Sequence, residues 1–364
     1  MDKRPSHSQL IYFLFVLLII IAFFPFQQQN FVLSANTIEP FSRKSNTLYY
    51  LPFIKQSPNA IWMPLGFAGE NATDLYLDPN LPGHAYASLY TVGLFETYDG
   101  GNNWTQQQIN ARIYDIAVHP ITPATMYVAT WSSYGLYWTE NGGGSWQPIP
   151  GWYSLSPTLY SVAVHPITPT IMFAGSGNWE PVGGEIFRTV NGGQNWSLVS
   201  PMFTNALTFA FDPMLPTVVY AGTQYGGVRK STDTGYSWFA TNNGLPTGTT
   251  GAHDIHVTVQ PDPPHQVYAA TSLGLYVSED EAENWQALWE GVDANFLLFA
   301  PHTSAIVYLG TSDGIFVSFD TGVSWSRLGQ CGVGVSVRRL EFDPYDAKVI
   351  WAATNNGLWR CILE

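Results

Sequence analysis

Apolar and polar residues alternate in short runs that recur along the chain. Seven of these runs end in a dipeptide whose second residue is proline, at Pro79, Pro120, Pro166, Pro213, Pro261, Pro301 and Pro344. Each is followed by a short stretch rich in Tyr, Ala, Gly and Thr, such as 126–130, and then by a Gly-apolar-aromatic stretch, such as 135–138. Alternation with a period of two is typical of half-buried β-strands. The pattern predicts an all-β chain built from repeated modules.

An eight-residue motif, here called the box, follows the third predicted strand of a module. It reads Ser/Thr-x-Asp/Asn-x-Gly-x-x-Trp and occurs six times. Its acidic or amide residue and its tryptophan are Asp99 and Trp104, Asn141 and Trp146, Asn191 and Trp196, Asp233 and Trp238, Asp280 and Trp285, and Asp320 and Trp325. The tryptophan opens a fourth strand. Four short strands per module are typical of a β-propeller blade.

The recurring proline occurs seven times and the box six times. This difference of one predicts how the ring closes. The last module ends at Glu364, where a seventh box would begin. The segment 61–65 near the other end resembles a strand that follows a box, with Trp62 at the tryptophan position. We therefore predict a seven-bladed β-propeller over 59–364, with four antiparallel strands per blade. The N-terminal strand completes the last blade, because an open ring would leave unpaired sheet edges.

The residue types of the box suit a tight hairpin turn. An Asp or Asn side chain accepts hydrogen bonds from the amides of its own turn, and glycine adopts the positive φ that the turn needs. The tryptophan is expected to pack against the next blade. We therefore interpret the boxes as folding elements. In one box Ala282 replaces the glycine, which predicts a strained or remodelled turn.

The N-terminus carries the features of an export signal. Lys3 and Arg4 precede an apolar run from Leu10 to Phe26, an arrangement typical of a signal peptide. The run is also long enough to be a marginal membrane anchor. We expect residues 1–35 to be a cleaved signal or a retained anchor, residues 36–58 to be a linker, and the propeller to be extracytoplasmic.

Composition narrows the classes of partner. The chain of 364 residues has a net charge of −13. A phosphate backbone or an anionic membrane surface would be repelled, so we expect no nucleic-acid partner and membrane contact only through the N-terminal segment. We also expect a monomer without cofactor or metal.

Cys331 and Cys361 lack metal-ligand spacing. They are either a disulfide or, as the predicted register favours, two small buried residues.

The boxes and their spacing resemble the BNR/Asp-box repeat superfamily over nearly all of 60–364. That superfamily includes sialidases, xyloglucan-cleaving glycosidases, the sortilin luminal domain and photosystem II assembly-factor propellers, and the layout is most similar to the last group. The resemblance implies a fold but hardly a function. It does not extend to sialidase catalysis, because Arg112-Ile113 is followed by Tyr114 where those enzymes carry proline.

One candidate ligand site is the propeller face made by the loops that join strand two to three and strand four to the next blade. These loops hold seven aromatic residues suited to stacking on a sugar or contacting a peptide, unless they only pack their own loops. They are Trp131, Tyr134, Trp152, Tyr153, Trp179, Tyr225 and Trp289.

A second candidate site lies near the central channel. Each module contributes the residue five positions before its recurring proline. These ring residues are Asp74, Asp115, Ser161, Thr208, His256, Phe296 and Arg339. Asp74, Asp115 and His256 could perform acid–base chemistry. They could equally be hydrogen-bonded channel lining, with Arg339 as a salt-bridge partner or a ligand contact.

Two functions follow from these observations. The favoured one is an exported, non-enzymatic module that binds a protein or a glycan, or assists assembly, at its loop-rich face. The alternative is a glycoside hydrolase that uses channel carboxylates such as Asp74 and Asp115.

Overall fold

The computed structural model describes residues 59–364 except 110, 133, 150–151, 153–157, 178–183, 202–204 and 247–253. The expected signal or anchor (1–35) and the expected linker (36–58) lie outside the described residues. Within the described part, 28 strands form seven antiparallel four-stranded sheets. The described residues contain no helix that is long and apolar enough to span a membrane.

Blades 1 to 6 each take four consecutive strands. The strands of blades 1 to 3 are β2 Ala72–Leu77, β3 Ala85–Leu89, β4 Gly93–Thr97, β5 Thr105–Gln106, β6 Arg112–Val118, β7 Met126–Trp131, β8 Leu136–Thr139, β9 Gln147–Pro148, β10 Leu159–Val164, β11 Met172–Ser176, β12 Glu185–Thr189 and β13 Ser197–Pro201. The strands of blades 4 to 6 are β14 Ala206–Phe211, β15 Val219–Thr223, β16 Val228–Ser231, β17 Phe239–Ala240, β18 His256–Val259, β19 Val267–Thr271, β20 Gly274–Ser278, β21 Gln286–Glu290, β22 Ala294–Ala300, β23 Thr303–Thr311, β24 Gly314–Ser318 and β25 Ser326–Arg327.

Blade 7 joins the two ends of the propeller and closes the ring. It contains β26 Val337–Asp343, β27 Asp346–Thr354, β28 Gly357–Leu363 and, as its outer strand, β1 Ala60–Gly66. Strand β1 pairs antiparallel with β28, and Trp62 lies opposite Cys361. The innermost strand of each blade contacts that of the next blade, and β26 of blade 7 contacts β2 of blade 1. The predicted seven-bladed fold and its closure are confirmed.

The hydrophobic core is divided among the interfaces between blades. Seven clusters occur in the described part of the chain, and each draws its residues mainly from two successive blades. Trp62 of blade 7 packs in the cluster shared with blade 6, together with Phe296 and Tyr308. Each blade is therefore covered on both faces by its neighbours, which is how solenoid and propeller modules bury their apolar surface.

The box tryptophans pack against the preceding blade, so the prediction that they face the next blade is wrong. Trp104 of blade 1 donates its indole N–H to the Leu65 carbonyl of blade 7 at 3.0 Å. Trp285 of blade 5 donates to the Thr241 carbonyl of blade 4 at 2.8 Å. Since both faces of a blade are buried, strand alternation cannot distinguish the face that points backward from the one that points forward.

The same hydrogen bonds hold all six boxes. In the first, the Thr97 hydroxyl donates to Asp99 Oδ1 at 2.9 Å, and that oxygen also accepts the Asn103 N–H at 2.8 Å. The Gly101 N–H donates to Thr97 Oγ1 at 3.1 Å. The equivalent bonds recur in the other five boxes. Each box is thus a turn that satisfies its own amides.

The box of blade 5 keeps its hydrogen bonds although Ala282 replaces glycine. Ala282 has a φ of 70° and donates its N–H to Ser278 Oγ at 2.8 Å. A residue with a Cβ in this left-handed conformation is strained. The same turn carries Glu281, which binds the nearly buried Lys230 of blade 4 at 3.2 Å. The turn is therefore strained and not remodelled, and its acidic side chain ties it to the preceding blade.

Cys331 and Cys361 form a disulfide, although the predicted register favoured two unpaired residues. Cys361 lies on β28, as expected. Cys331 is not on a strand: it lies in the turns between β25 and β26, where its N–H donates to the Leu328 carbonyl at 3.0 Å. These turns bring it against blade 7 within the apolar cluster between blades 6 and 7.

Ring closure can be tested at neighbouring positions of β1. Trp62 stacks on Trp359 at 5.0 Å between ring centroids, whereas Ile61 is 47% exposed. We expect Trp62→Ala to lower the free energy of unfolding by about 2–4 kcal/mol, because the apolar contacts of a large ring are lost. Ile61→Ala is the matched control and should cost less than about 1 kcal/mol. Urea denaturation measures both, and equal small losses would argue against closure through β1.

The box glycine can be tested by comparing two alanine substitutions. Gly235 has a φ of 80°, and a Cβ there would collide with the Phe173 ring of blade 3. Gly192 has a φ of 66°, and a Cβ there would have no described heavy atom within 4 Å. Both substitutions place alanine in a left-handed conformation at about 1–2 kcal/mol. Gly235→Ala should cost about 1–3 kcal/mol more because of the clash. Equal thermal denaturation midpoints would contradict this role for Gly235.

Candidate functional site

The ring residues sit next to irregularities in the innermost strands. In β2, β6, β10, β14, β22 and β26 the pairing register shifts by one residue just before the ring residue. In blade 5 the strand begins at the ring residue His256. A bulge bends a strand and re-aims its side chains. The residue before each ring residue is therefore placed at the start of the strand, on the loop-rich face.

Every ring residue lies opposite a small residue of the second strand. The seven partners, in blade order, are Ser88, Ala129, Gly175, Gly222, Ala270, Gly310 and Ala353. A Cβ on Gly175 would collide with the Ala206 carbonyl of the next blade, and one on Gly222 would collide with the Ile255 carbonyl. The innermost strands approach so closely that only small side chains fit between them.

Several ring residues bind the backbone of the following blade. Asp74 Oδ2 accepts the Ile116 N–H at 2.8 Å, and Asp115 Oδ2 accepts the Val162 N–H at 2.9 Å. Thr208 Oγ1 accepts the Val257 N–H at 3.2 Å. The ring residues therefore fasten adjacent blades around the channel.

Charges concentrate where blades 7, 1 and 2 meet. Arg339 Nε lies 3.3 Å from Asp74 Oδ1. Burial, followed by the charge of Asp74, raises the pKa of Asp115 well above its usual value. Burial raises the pKa of Glu341, also on β26, to about 8. Burial acts to lower the pKa of Arg339, but the charges of Asp74, Glu341 and Asp115 outweigh it and raise that pKa. Arg339 thus stays charged and compensates this acidic group.

His256 differs from the carboxylates. Burial, followed by the charge of Arg339, lowers its pKa to about 3, so the ring is neutral at physiological pH. It packs on Phe296 at 4.2 Å between ring centroids. Its Nδ1 has no hydrogen-bond partner among the described residues.

The residues just before the ring residues line a cavity of about 320 Å³ at the channel mouth. We call them the mouth residues: Thr73, Tyr114, Tyr160, Leu207, Ile255, Asn295 and Arg338. Each blade contributes one. Thr208, Gln224, Asp254 and the ring residue His256 complete the described lining.

A row of tyrosines runs outward from this cavity. Tyr160 contacts Tyr114 at 4.8 Å and Tyr114 contacts Tyr90 at 5.6 Å, between ring centroids. The Tyr114 hydroxyl donates to that of Tyr90 at 3.5 Å. Burial is the first cause of a raised pKa for Tyr114 and Tyr160, so both phenols keep their protons and remain donors.

A larger groove of about 880 Å³ lies beside the row, between blades 1 and 2. Its described lining is Thr91, Val92, Gln106, Gln107, Gln108, Ile109, Ala111, Arg112 and Trp131. The Arg112 guanidinium lies 4.5 Å from the Trp131 ring and 5.3 Å from the Tyr90 ring. The groove and the mouth cavity are therefore joined by one line of aromatic side chains.

The structure brings only part of the predicted ligand set together. Trp131 lines the groove, and His256 lines the mouth cavity. Trp152 is fully buried between blades 2 and 3, so its ring packs the core and presents no surface. Trp289 packs on Trp325 between blades 5 and 6.

Of the other predicted ligand residues that the structure describes, Tyr134, Tyr225 and Arg339 line neither cavity. Tyr134 is exposed and contacts Tyr137, and Tyr225 is half-buried. Tyr153 and Trp179 lie outside the described residues. No group of three or more His, Cys, Asp or Glu side chains suited to a metal occurs in the described part.

Sequence reasoning missed the mouth residues and Arg112. Strict alternation assigns residues 114 and 115 to opposite faces of a strand, and a bulge cannot be seen in that pattern. Aligning the modules one position earlier would have placed Tyr114 and Tyr160 in the same column, each directly before a polar ring residue.

Comparisons with known proteins show the fold. No model of a known protein family matches the chain, and no curated protein matches it. An ancestral GH74 enzyme matches with a TM-score of 0.64 at 21% identity, over 81% of this chain and 45% of the enzyme. YCF48 bound to D1 peptide matches with a TM-score of 0.62 at 16% identity, over 85% of this chain and 97% of that protein.

A third match is the GH74 xyloglucanase from Xanthomonas campestris, with a TM-score of 0.61 at 16% identity, over 83% of this chain and 53% of the enzyme. The chain spans about half the length of the GH74 enzymes it matches. These neighbours include both glycoside hydrolases and a peptide-bound propeller.

The charged group near blade 7 has a consequence for stability. A carboxyl whose pKa is raised by folding stabilises the protein below its unfolded pKa, and this contribution is lost as pH rises through the folded pKa. For Glu341 that window runs from about 4.5 to about 8. We expect the free energy of unfolding to fall by about 1–3 kcal/mol across it.

Glu341→Gln should make this fall smaller, because the amide cannot ionise yet still accepts a hydrogen bond. Denaturation at a series of pH values measures it. An unchanged slope in the variant would show that Glu341 ionises freely in the folded protein.

Proposed function

We propose that this propeller is a non-enzymatic binding module that holds a protein or glycan partner on its channel-mouth face. The observation that carries the proposal is the mouth cavity, to which each of the seven blades contributes one residue. Phenol, amide and guanidinium groups converge there with apolar side chains. A concave site with a few converging polar groups is the usual form of a ligand pocket.

The disposition of the carboxylates supports binding over hydrolysis. Asp74 and Asp115 each accept a backbone amide of the next blade, and neither belongs to the described lining of the mouth cavity. Most glycoside hydrolases place two carboxyl groups on either side of the bond that they cleave. The described lining of the mouth cavity contains one carboxylate, Asp254, and acid–base hydrolysis of this type uses two.

We further propose that the chain belongs to the BNR/Asp-box superfamily and is exported as a monomer. The repeated hydrogen bonds of the six boxes and the likeness to GH74 and YCF48 propellers support the first statement. The disulfide between Cys331 and Cys361 supports an oxidising compartment. Outer strands of two residues in blades 1, 2, 4 and 6 offer little edge for pairing with another copy.

The proposal is tested at Tyr114, next to the channel. Glycan and peptide arrays identify a ligand, and titration then compares variants. We expect Tyr114→Ala to weaken binding about tenfold or more, because an aromatic contact and a phenol oxygen that can accept a hydrogen bond are lost together. Tyr345→Ala is the matched control, since Tyr345 is exposed in a loop on the opposite face.

Two outcomes would contradict the proposal. One is equal binding by the Tyr114 and Tyr345 variants, which would place the ligand elsewhere. The other is turnover of a bound glycan that disappears in Asp115→Asn, which would make the protein a hydrolase.

A further inference from the structure

Arg112 is held as a flat, oriented cation at the wall of the groove between blades 1 and 2. It begins β6 and lies opposite Trp131 in the register. Its guanidinium lies over the Trp131 ring at 4.5 Å and over the Tyr90 ring at 5.3 Å. A guanidinium stacked on aromatic rings keeps its N–H edge available and has lost part of its rotational freedom before a ligand arrives.

Arg112 has no carboxylate partner within salt-bridge distance among the described residues, although the chain carries 27 acidic residues and 14 basic ones. Two other stacked arginines bind a carboxylate, whereas Arg188, at 3.9 Å from the Tyr236 ring, donates to the Thr234 carbonyl. Arg327 lies 4.7 Å from the Phe316 ring and binds Asp313 at 2.6 Å. Arg339 lies 4.8 Å from the Phe296 ring and binds Asp74. Arg112 shares the stacking but lacks the acid.

The groove in front of Arg112 offers hydrogen-bond acceptors. The side-chain amide of Gln106 donates to the Val92 carbonyl at 2.7 Å, and that of Gln107 donates to Glu96 at 2.7 Å. These bonds engage an N–H of each amide and orient the side chain. The oxygen of the Gln106 amide can accept hydrogen bonds from the hydroxyl groups of a ligand, whereas the oxygen of the Gln107 amide lies against Gly143 in the box of blade 2.

We propose that Arg112 binds the carboxylate of an acidic saccharide, a glycan containing uronic acid, lying in this groove. The proposal rests on the proposed function and names the ligand class. Arg112 supplies a bidentate, charge-assisted contact to the carboxylate, and the Gln106 amide oxygen accepts a sugar hydroxyl. A saccharide fits this lining better than a peptide, because most of the groove side chains are polar and peptide sites depend on buried apolar anchors.

The experiment compares each acidic oligosaccharide with its own neutral methyl ester. Tetrasaccharides of galacturonate, glucuronate and mannuronate are titrated into the full chain by calorimetry, alongside the esters. We expect at least one acid to bind about tenfold to a hundredfold more tightly than its ester, the range for a hydrogen-bonded charge. Raising the ionic strength should shrink this preference.

Variants then assign the preference to Arg112. Arg112→Gln should remove most of the preference for acid over ester, because the cation is lost while the groove remains. Arg327→Gln is the matched control: it removes a stacked arginine already paired with Asp313 and should leave the preference unchanged. Arg112 is exposed, so the variant is expected to fold, and its thermal midpoint checks this.

Three results would overturn the inference. They are equal binding of acid and ester, an acid preference that survives in Arg112→Gln, and binding of neutral glycans or peptides with none of the acidic oligosaccharides. In the last case the proposal that the protein is a binding module is unaffected. Failure of every glycan and peptide would instead contradict the proposed function.

Discussion

The fold depends on the mutual burial of neighbouring blades. Among the residues that the structure describes, no blade has a core of its own: each apolar cluster is shared between two successive sheets. The ring is therefore complete only if the last interface forms, and β1 supplies it. Without β1, the Leu65 and Trp62 side chains would leave the clusters on both sides of blade 7. Closure is thus a condition for the stability of all seven blades.

Crowding at the centre explains why the candidate site has its form. Seven innermost strands converge there, so small residues face the ring residues and side-chain oxygens bind the next blade. Asp74 and Asp115, which the sequence offered as catalytic carboxylates, instead bind backbone amides of the next blade. In six blades, a bulge before the ring residue turns another side chain toward the mouth. The demands of packing therefore place one residue per blade around a common opening.

The channel mouth and the adjoining groove differ in charge from the protein as a whole. The protein is acidic overall, yet Arg338 and Arg112 stand at the mouth and the adjoining groove. The row Tyr160, Tyr114 and Tyr90 links the two cavities. An aromatic surface with isolated cations inside an acidic molecule favours a ligand with both polar groups and negative charge, and disfavours a polyanion too large to avoid the surrounding acids.

The sequence by itself determined the module count, the four-stranded blades and the closure by Trp62, because these depend on local patterns that repeat in register. It also determined the box turns, whose hydrogen bonds lie within eight residues. Tertiary structure alone decided that Trp104 faces the preceding blade, that Cys331 reaches Cys361, and that Trp152 is buried while Arg112 is stacked and has no carboxylate partner among the described residues. The physical reason is that these outcomes depend on distances between modules, and on bulges that shift a side chain from one face to the other without changing the pattern of residues.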